Sequence, residues 1–415
     1  MNPRMKILVV ADTLDVNSSS GAKGRIALIK ALNKCNFDLK VLHYSRKSIH
    51  LKGILIEDIV EKRNTFTFIV SKIVILLKKL FNYNLKPWIE KKNGFSFAHD
   101  NDVFSIKKAI LKEDVQNYNW ILALSYAGSF RAHKAILNLP TWHNKFLAYI
   151  HDPYPQHSFP RPYDWVEPGH QQKRDFFLKV AQYCAYAIYP SDLLGEWMEG
   201  YYKTLIGKRV VIPHQLDKKV IDKTNLPDTF DSDKFTILHA GTLFEARNPI
   251  ALMDALKRLW SVNTEAQSEV QLLFIGGSSY FDAQINEAKK LFPQIKHLGK
   301  LDFETTLAMQ YYASVNIILE AKGPISPFLP GKFPHCVLSD NPILLLGPHC
   351  SEVKRLMGED YPYWSENDDE DKIYNILVTL YKMWKTKPEQ YCLDRKDIEF
   401  YLSEKYLEQE MAKLN

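Results

Sequence analysis

The chain lacks any run of about 18 uncharged apolar residues, which excludes a bilayer-spanning helix of ordinary length. Cysteine is scarce and scattered. Cys35, Cys184, Cys336, Cys350 and Cys392 form no CxxC or other metal-ligand spacing, and so dispersed an odd set suits free thiols in a reducing cytoplasm better than disulfides. The opening MNPRMKILVVAD enters an apolar run too short for a signal-peptide core, with no small-residue cleavage site behind it, so no leader is expected. There is no long repeat, no low-complexity tract, no GxGxxG turn and no evident acidic metal-binding pair. These absences set aside a solenoid, a dinucleotide fingerprint and a resident metal.

What is present points to a globular α/β protein. At 415 residues the chain is too long for one compact core, so two domains are expected. The net charge of +6 is modest but unevenly placed: Arg46–Lys112 holds 14 Lys/Arg against 6 Asp/Glu, and the remainder is slightly acidic. A basic half-domain suits an anionic surface or ligand.

The continuous apolar run Lys6–Ala11 predicts a strand of a parallel sheet buried on both faces, Leu39–Tyr44 is the second strand, and further strands are expected at Trp120–Leu124, Phe146–Ile150, Ala187–Tyr189 and Arg209–Ile212. A Ser/Gly turn over Asp12–Lys23 (Ser18, Ser19, Ser20, Gly21) separates the first strand from a helix carrying Ile26, Leu28, Ile29 and Leu32. A polar stretch at 214–234 reads as a linker. Alternation then resumes, with strands at Phe235–His239, Val270–Ile275, Val315–Leu319 and Pro342–Leu346 and helices at Asp282–Leu291 and Glu304–Tyr312. Two such series predict two doubly wound, Rossmann-like domains facing across a cleft, with ligands beyond the carboxyl ends of the strands. The expected division is 1–213, a linker at 214–234, 235–385, and C-terminal helices at 386–415 packing back on the first domain, with Trp384 and Tyr391 as anchors.

Residues 235–249, FTILHAGTLFEARNP, combine a strand, a glycine turn at Gly241, Arg247, and a helix start at Asn248 and Pro249. A guanidinium and a helix N-terminus aimed at one place suit a phosphate, although an ordinary loop with a solvated arginine has the same sequence. The segment 320–334, EAKGPISPFLPGKFP, is a rigid Pro/Gly loop ending at Lys332 before a helix at Phe333–Leu338. It offers a second phosphate cation or a Pro-rich surface turn. AYIHDPYP (148–155) runs a strand into His151 and Asp152, a pair able to bond a sugar hydroxyl, act as acid and base, or simply start an Asp-Pro turn. Beyond it, Tyr154, Phe159, Tyr163 and Trp165 suit stacking on a sugar or base as well as packing within a loop, and the mixed charge excludes a nucleic-acid groove. Phe66–Lys92 interleaves Lys72, Lys78, Lys79 and Lys86 with Ile, Val, Leu and Phe, as in a helix lying on an anionic membrane or a core helix with lysines at its edge.

The order of these motifs resembles the GT-B glycosyltransferases, in particular the large family 4 group of retaining enzymes. The resemblance rests on KILVVAD with its Ser/Gly loop, IHD at 150–152, YPSDLLGEWM at 189–198, VVIPHQLD, AGTLFEARNP, FIGGSS at 274–279, HLGKL at 297–301 and PFLPGKFPHCVLSDNPILLLGP. It implies that Arg247 and Lys332 bind the diphosphate of a nucleotide sugar, assisted by Gly241, Thr242, Ser326, Gly331 and His335. Gly21 would approach the phosphate–sugar end, Gly299, Lys300 and Leu301 would lie near the base, and His151 with Asp152 would act at the transferred sugar. Thr242 departs from an arginine of the family, and Pro327 and His335 stand where the family carries paired glutamates eight apart.

The resemblance therefore implies a hexosyltransferase using a nucleotide-diphosphate sugar and no metal cofactor. Its acceptor would be a glycan or lipid-linked glycan of surface polysaccharide or oligosaccharide synthesis. The expected location is cytoplasmic and peripheral on an anionic membrane, with no nucleic-acid partner. A nucleotide-sugar epimerase of similar fold, a catalytically degenerate sugar-nucleotide-binding protein and a membrane-interaction protein built around 66–92 are the alternatives.

Overall fold

A computed structural model of the chain describes residues 4–15, 20–35, 37–45, 47–216 and 221–414, so Ser18, Ser19 and Asp217 lie outside the described residues. The chain forms two compact units. The first comprises Met1–Phe159, Asp164–Gln215 and Glu404–Asn415, and the second Pro160–Tyr163 and Leu216–Ser403.

In the first unit the described strands are β1 (Lys6–Ala11), β2 (Asp38–His43), β3 (Leu55–Asp58), β4 (Trp120–Leu124), β5 (Phe146–Tyr149), β6 (Tyr186–Tyr189) and β7 (Arg209–Val211). They pair in parallel in the order β3-β2-β1-β4-β5-β6-β7. Ile7, Leu8, Val9 and Val10 are fully buried because helices cover both faces of the sheet. Ile26, Leu28, Ile29 and Leu32 of the Ser20–Lys34 helix join one core face together with Leu407 and Met411 of the Glu404–Ala412 helix. Burying each such side chain contributes roughly 1.5–3 kcal/mol.

In the second unit the strands are β8 (Phe235–Ala240), β9 (Val270–Ile275), β10 (Ile295–His297), β11 (Val315–Leu319), β12 (Ile343–Leu346) and β13 (Trp364–Ser365). They too are parallel, in the order β10-β9-β8-β11-β12-β13. Trp384 packs on Phe235, and Tyr391 lies in the same core, so both aromatics anchor on the second unit, and of the C-terminal segment Glu404–Asn415 is the part grouped with the first.

Four local expectations need correction. β3, β10 and β13 were not expected; they have four, three and two residues, too few to show a pattern. The first helix starts at Ser20, so Gly21 lies in its first turn and not in the preceding loop. The helix after Arg247 starts at Ile250: Pro249 is the N-cap, and Asn248 Oδ1 accepts the Ile250 N–H at 2.9 Å from one residue further out. Residues 66–92 form two helices, Phe66–Phe81 and Lys86–Asn93, because Asn82 adopts the left-handed conformation (φ 54°).

One turn in the second unit tolerates no side chain. A β-carbon on Gly276, whose φ is +122°, would lie 2.4 Å from the Gly241 carbonyl oxygen. Gly276→Ala is therefore expected to cost about 1–3 kcal/mol, seen as a lower melting temperature of the second unit by calorimetry. An unchanged melting profile would show that the two turns do not press on each other.

Candidate active site

Within the second unit, β8 and β11 are neighbours from which the chain winds away in opposite directions, β9 and β10 to one side and β12 and β13 to the other. Such a switch point leaves a crevice at the carboxyl ends of the two strands. His239 is buried near the end of β8, Gly241 follows the strand, and Glu320 stands one residue past β11. The rigid loop after β11 then carries the chain to Lys332, at the head of the Phe333–Leu338 helix.

These side chains converge. A β-carbon on Gly241 would lie 3.5 Å from His239 Cε1, 3.8 Å from His239 Nε2 and 3.9 Å from Lys332 Nζ. Gly241 (φ +152°) thus leaves room for an imidazole and an ammonium over one backbone position. Lys332 is half-buried as a residue, but its Nζ is sealed from solvent and has no hydrogen-bond partner among the described residues. The same holds for Arg247 Nε, His239 Nδ1 and Glu320 Oε2. Arg247 sits on a turn closed by its own N–H to the Phe244 carbonyl (2.8 Å), with its guanidinium 5.4 Å from the Phe244 ring centre.

The electrostatics follow from this crowding. Burial lowers the Lys332 ammonium to about 7, Arg247 repels it further, and Cys336 and Glu320 oppose the shift. Burial raises the Glu320 carboxyl to about 7 against the pull of the Ser326 and Ser351 hydroxyls and of Arg247. His239 is pushed well below its usual value by burial, Lys332 and Arg247, and is neutral. Ser326 Oγ donates to Glu320 Oε1 at 2.6 Å, and a β-carbon on Gly347 would lie 2.8 Å from Glu320 Oε2. A buried ammonium without a protein partner destabilises the free protein unless an anion joins it, and the unpartnered Arg247 Nε lies in its electrostatic range. Chemically, the arrangement can accept a compact anion.

The remaining sequence-predicted residues of this unit lie on adjoining turns and on the Phe333–Leu338 helix. Thr242 is half-buried beside the Gly277 turn, and Gly331 is exposed with open space at its α-carbon. Gly299 (φ +67°) accepts the Gly276 N–H through its carbonyl at 2.7 Å, which couples the 297–301 loop to the turn that presses on Gly241. Lys300 is exposed, and Leu301 packs on the core containing Leu238 and Ala240. His335 lies on the Phe333–Leu338 helix with its ring 5.6 Å from that of Phe303.

Gly21, His151 and Asp152 belong to the first unit, in a separate cluster at the ends of β1, β4 and β5. Buried Arg25 donates to the carbonyls of Thr13 (2.8 Å) and Ser125 (3.2 Å), just past β1 and β4. Burial lowers His151 to about 3, helped by Arg25 and His214. His151 is therefore neutral, and its Nε2 lies 3.6 Å from Asp152 Oδ2, beyond hydrogen-bonding reach. Gly21 lies in the helix that bears Arg25, with a β-carbon on Gly24 falling 3.5 Å from His214 Nδ1.

Sequence reasoning missed His239, Arg25 and His214 and did not place Glu320. The available signal was a polar residue interrupting or ending an apolar run, as in FTILHAG and NIILE.

No protein-family model matches the chain, and no curated protein matches it. Solved structures do. A sucrose-phosphate synthase from Thermosynechococcus elongatus aligns with a TM-score of 0.64 at 14% identity, over 99% of this chain and 98% of the other. An E. coli trehalose-6-phosphate structure bound with UDP-2-fluoro glucose gives 0.61 at 12% over 98% of both chains. A UDP-forming α,α-trehalose-phosphate synthase from Burkholderia xenovorans in complex with glucose-6-phosphate gives 0.61 at 10% over 99% of both. The fold is GT-B. At these identities the likeness concerns architecture, two parallel sheets in two α/β units.

The buried ammonium gives a pH test. Lysine in an unfolded chain titrates near about 10.4, against about 7 for Lys332 here. Between those values the unfolded chain binds more protons, so stability rises with pH across the window. Relative to Lys332→Met, the wild type is expected to gain stability from about pH 7 to about pH 10 in urea unfolding. Parallel profiles for the two proteins would contradict the burial of Nζ.

Proposed function

We propose that the protein is a glycosyltransferase that moves a sugar from a nucleotide-diphosphate sugar to a hydroxyl acceptor. The observation that carries this reading is the sealed, unpartnered Lys332 Nζ at the β8/β11 switch point, with the guanidinium of Arg247, whose Nε is also unpartnered, in electrostatic range. In the transfer, a bond forms between the acceptor oxygen and the anomeric carbon, and the bond from that carbon to the diphosphate breaks. The diphosphate leaves with the electron pair, and one of its oxygens takes up the proton lost by the acceptor hydroxyl. Negative charge grows on the leaving diphosphate, and preformed cations in a dry site stabilise it more in the transition state than in the ground state.

Arg247 and Lys332 hold the diphosphate, with Gly241, Thr242 and Gly331 giving its oxygens backbone access. Ser326 and Glu320 fix the loop that delivers Lys332, Gly299, Lys300 and Leu301 border the base, and His335 supports the nucleoside side. The second unit is thus the donor side and the first the acceptor side. Neutral His151 bonds a hydroxyl of the transferred sugar, Asp152 orients it, and Gly21 borders the sugar–phosphate end. The motif order supports a retaining, family 4-like hexosyltransferase of cytoplasmic surface-polysaccharide or lipid-linked oligosaccharide synthesis. The neighbours bound with UDP-2-fluoro glucose and glucose-6-phosphate support a nucleotide-sugar donor and a sugar acceptor. Two fixed cations supply the charge that a divalent ion would otherwise bring, so no metal is assigned.

Arg247→Ala and Lys332→Ala are each expected to lower transfer by one to two orders of magnitude, about 2–3 kcal/mol, in an assay of product formed from a sugar nucleotide and an acceptor extract. Near-normal rates in both variants would remove the phosphate roles, and conversion of the donor without acceptor would indicate an epimerase. Excess EDTA is expected to leave the rate unchanged; loss of activity restored by a divalent ion would overturn the metal-free assignment.

A further inference from the structure

The first unit carries a surface that the chemistry above does not use. The Phe66–Phe81 helix buries one face: Ser71 is buried, and Thr67, Val70, Val74 and Leu77 are partly covered. Its opposite face is no less apolar. Ile69, Ile73, Leu76 and Leu80 recur at spacings of four, three and four residues along one exposed stripe, with Lys72 and Lys79 along its edge. Phe66 (75% exposed), Leu80 (62%), Phe81 (70%), Tyr83 (63%) and Trp88 (63%) extend the patch onto the adjoining Lys86–Asn93 helix. A helix apolar on both faces normally sits in a core or in a lipid interface, and this one has protein on only one side.

Charge decides between the occupants of that face. From residue 64 to residue 93 the chain carries six lysines (Lys72, Lys78, Lys79, Lys86, Lys91, Lys92) and one acidic residue, Glu90. All six lysines are exposed. A second copy docked face to face would set lysines against lysines. An acidic bilayer meets both demands at once, with acyl chains for Ile69, Ile73, Leu76 and Leu80 and headgroups for the lysines. Tyr83 and Trp88 are the residue types that settle at the headgroup boundary.

We propose that the Phe66–Phe81 and Lys86–Asn93 helices dock the protein onto an anionic phospholipid bilayer. The helices lie in the interface and do not cross it; among the described residues no helix is long and apolar enough to span a membrane. The docking face continues into the unit. A cavity of about 680 Å³ is lined by Phe68 and Lys72 of this helix together with Ser45, Asp58 and Glu61. A second cavity of about 440 Å³ shares Ser45 and Glu61 and reaches Tyr126 and Arg131, just past β4. If the transfer reaction holds, this groove brings the sugar of a lipid-linked acceptor from the bilayer to the ends of the strands, a consequence that rests on the proposed function; the docking does not.

The test is flotation of the full-length protein with vesicles of phosphatidylcholine, with and without phosphatidylglycerol. The wild type is expected to float with the anionic vesicles, to release as salt rises, and to stay unbound with phosphatidylcholine alone. The double variants Lys72→Glu/Lys79→Glu and Ile73→Asp/Leu76→Asp are expected to weaken flotation at least about tenfold. Lys289→Glu/Lys290→Glu in the second unit should leave flotation unchanged. Circular dichroism and melting of each variant report on folding, which these exposed positions do not support. Equal flotation of wild type and face variants would overturn the proposal. So would absence of vesicle binding with a concentration-dependent dimer that Ile73→Asp/Leu76→Asp dissolves, since the occupant would then be a second copy. Flotation needs no turnover, so an inactive protein that floats, or an active one that does not, separates this proposal from the reaction.

Discussion

The desolvation of one ammonium beside one guanidinium is the constraint on which the second unit is built. Lys332 Nζ is sealed over Gly241 with Arg247, His239 and Glu320 in electrostatic range, and its proton affinity is lowered accordingly. A protein selected for stability alone would place methionine or leucine at such a position. The surrounding architecture keeps the charge there: the switch of strand order opens the crevice, the rigid 320–334 loop delivers the side chain, and Gly241 and Gly347 withhold the β-carbons that would fill the space. Unfavourable burial of this kind is what the proposed phosphate role would use, since a ligand of opposite charge relieves it.

The two units use charge differently. In the second, the buried Lys332 Nζ is left without a hydrogen-bond partner among the described residues. In the first, Arg25 is tied to two carbonyls at the strand ends, and Asp12 accepts the Tyr126 N–H (2.8 Å) and the Ser129 hydroxyl (2.6 Å). A tied arginine holds strand ends in register, and burial, helped by Arg25, keeps nearby His151 neutral, which suits hydrogen bonding to hydroxyls rather than pairing with a phosphate. Basic character outside these clusters collects on the helices at 66–93, where it is exposed and mixed with apolar side chains. One chain therefore carries three distinct electrostatic settings, and net charge alone reports none of them.

Most of the fold is legible in the sequence. Strands such as Ile7–Ala11 and Trp120–Leu124 are uninterrupted apolar runs, and Val270–Ile275 and Val315–Leu319 are apolar but for Gln271 and Asn316, a composition that a parallel sheet covered on both faces favours. The strands that escaped notice, β3, β10 and β13, are short pieces at or near sheet edges whose pairing depends on neighbours and not on a local pattern. The break at Asn82 is similar: the apolar periodicity runs on past it, and the left-handed residue that ends the helix carries no strong composition signal.

The site divides along the same line. Arg247 and Lys332 were visible because each stands beside glycine and proline, residues whose backbone effects are local and independent of context. Glu320, His239 and Arg25 were not, because their importance lies in what surrounds them. The sequence by itself determined two parallel α/β layers, the glycine turn after β8 and the rigid loop after β11, all set by properties of adjacent residues. Only the tertiary structure decided that an imidazole, an ammonium and a carboxyl 93 residues or fewer apart along the chain share one dry pocket. Burial is a collective property of packed neighbours, and a shifted proton affinity is a consequence of burial.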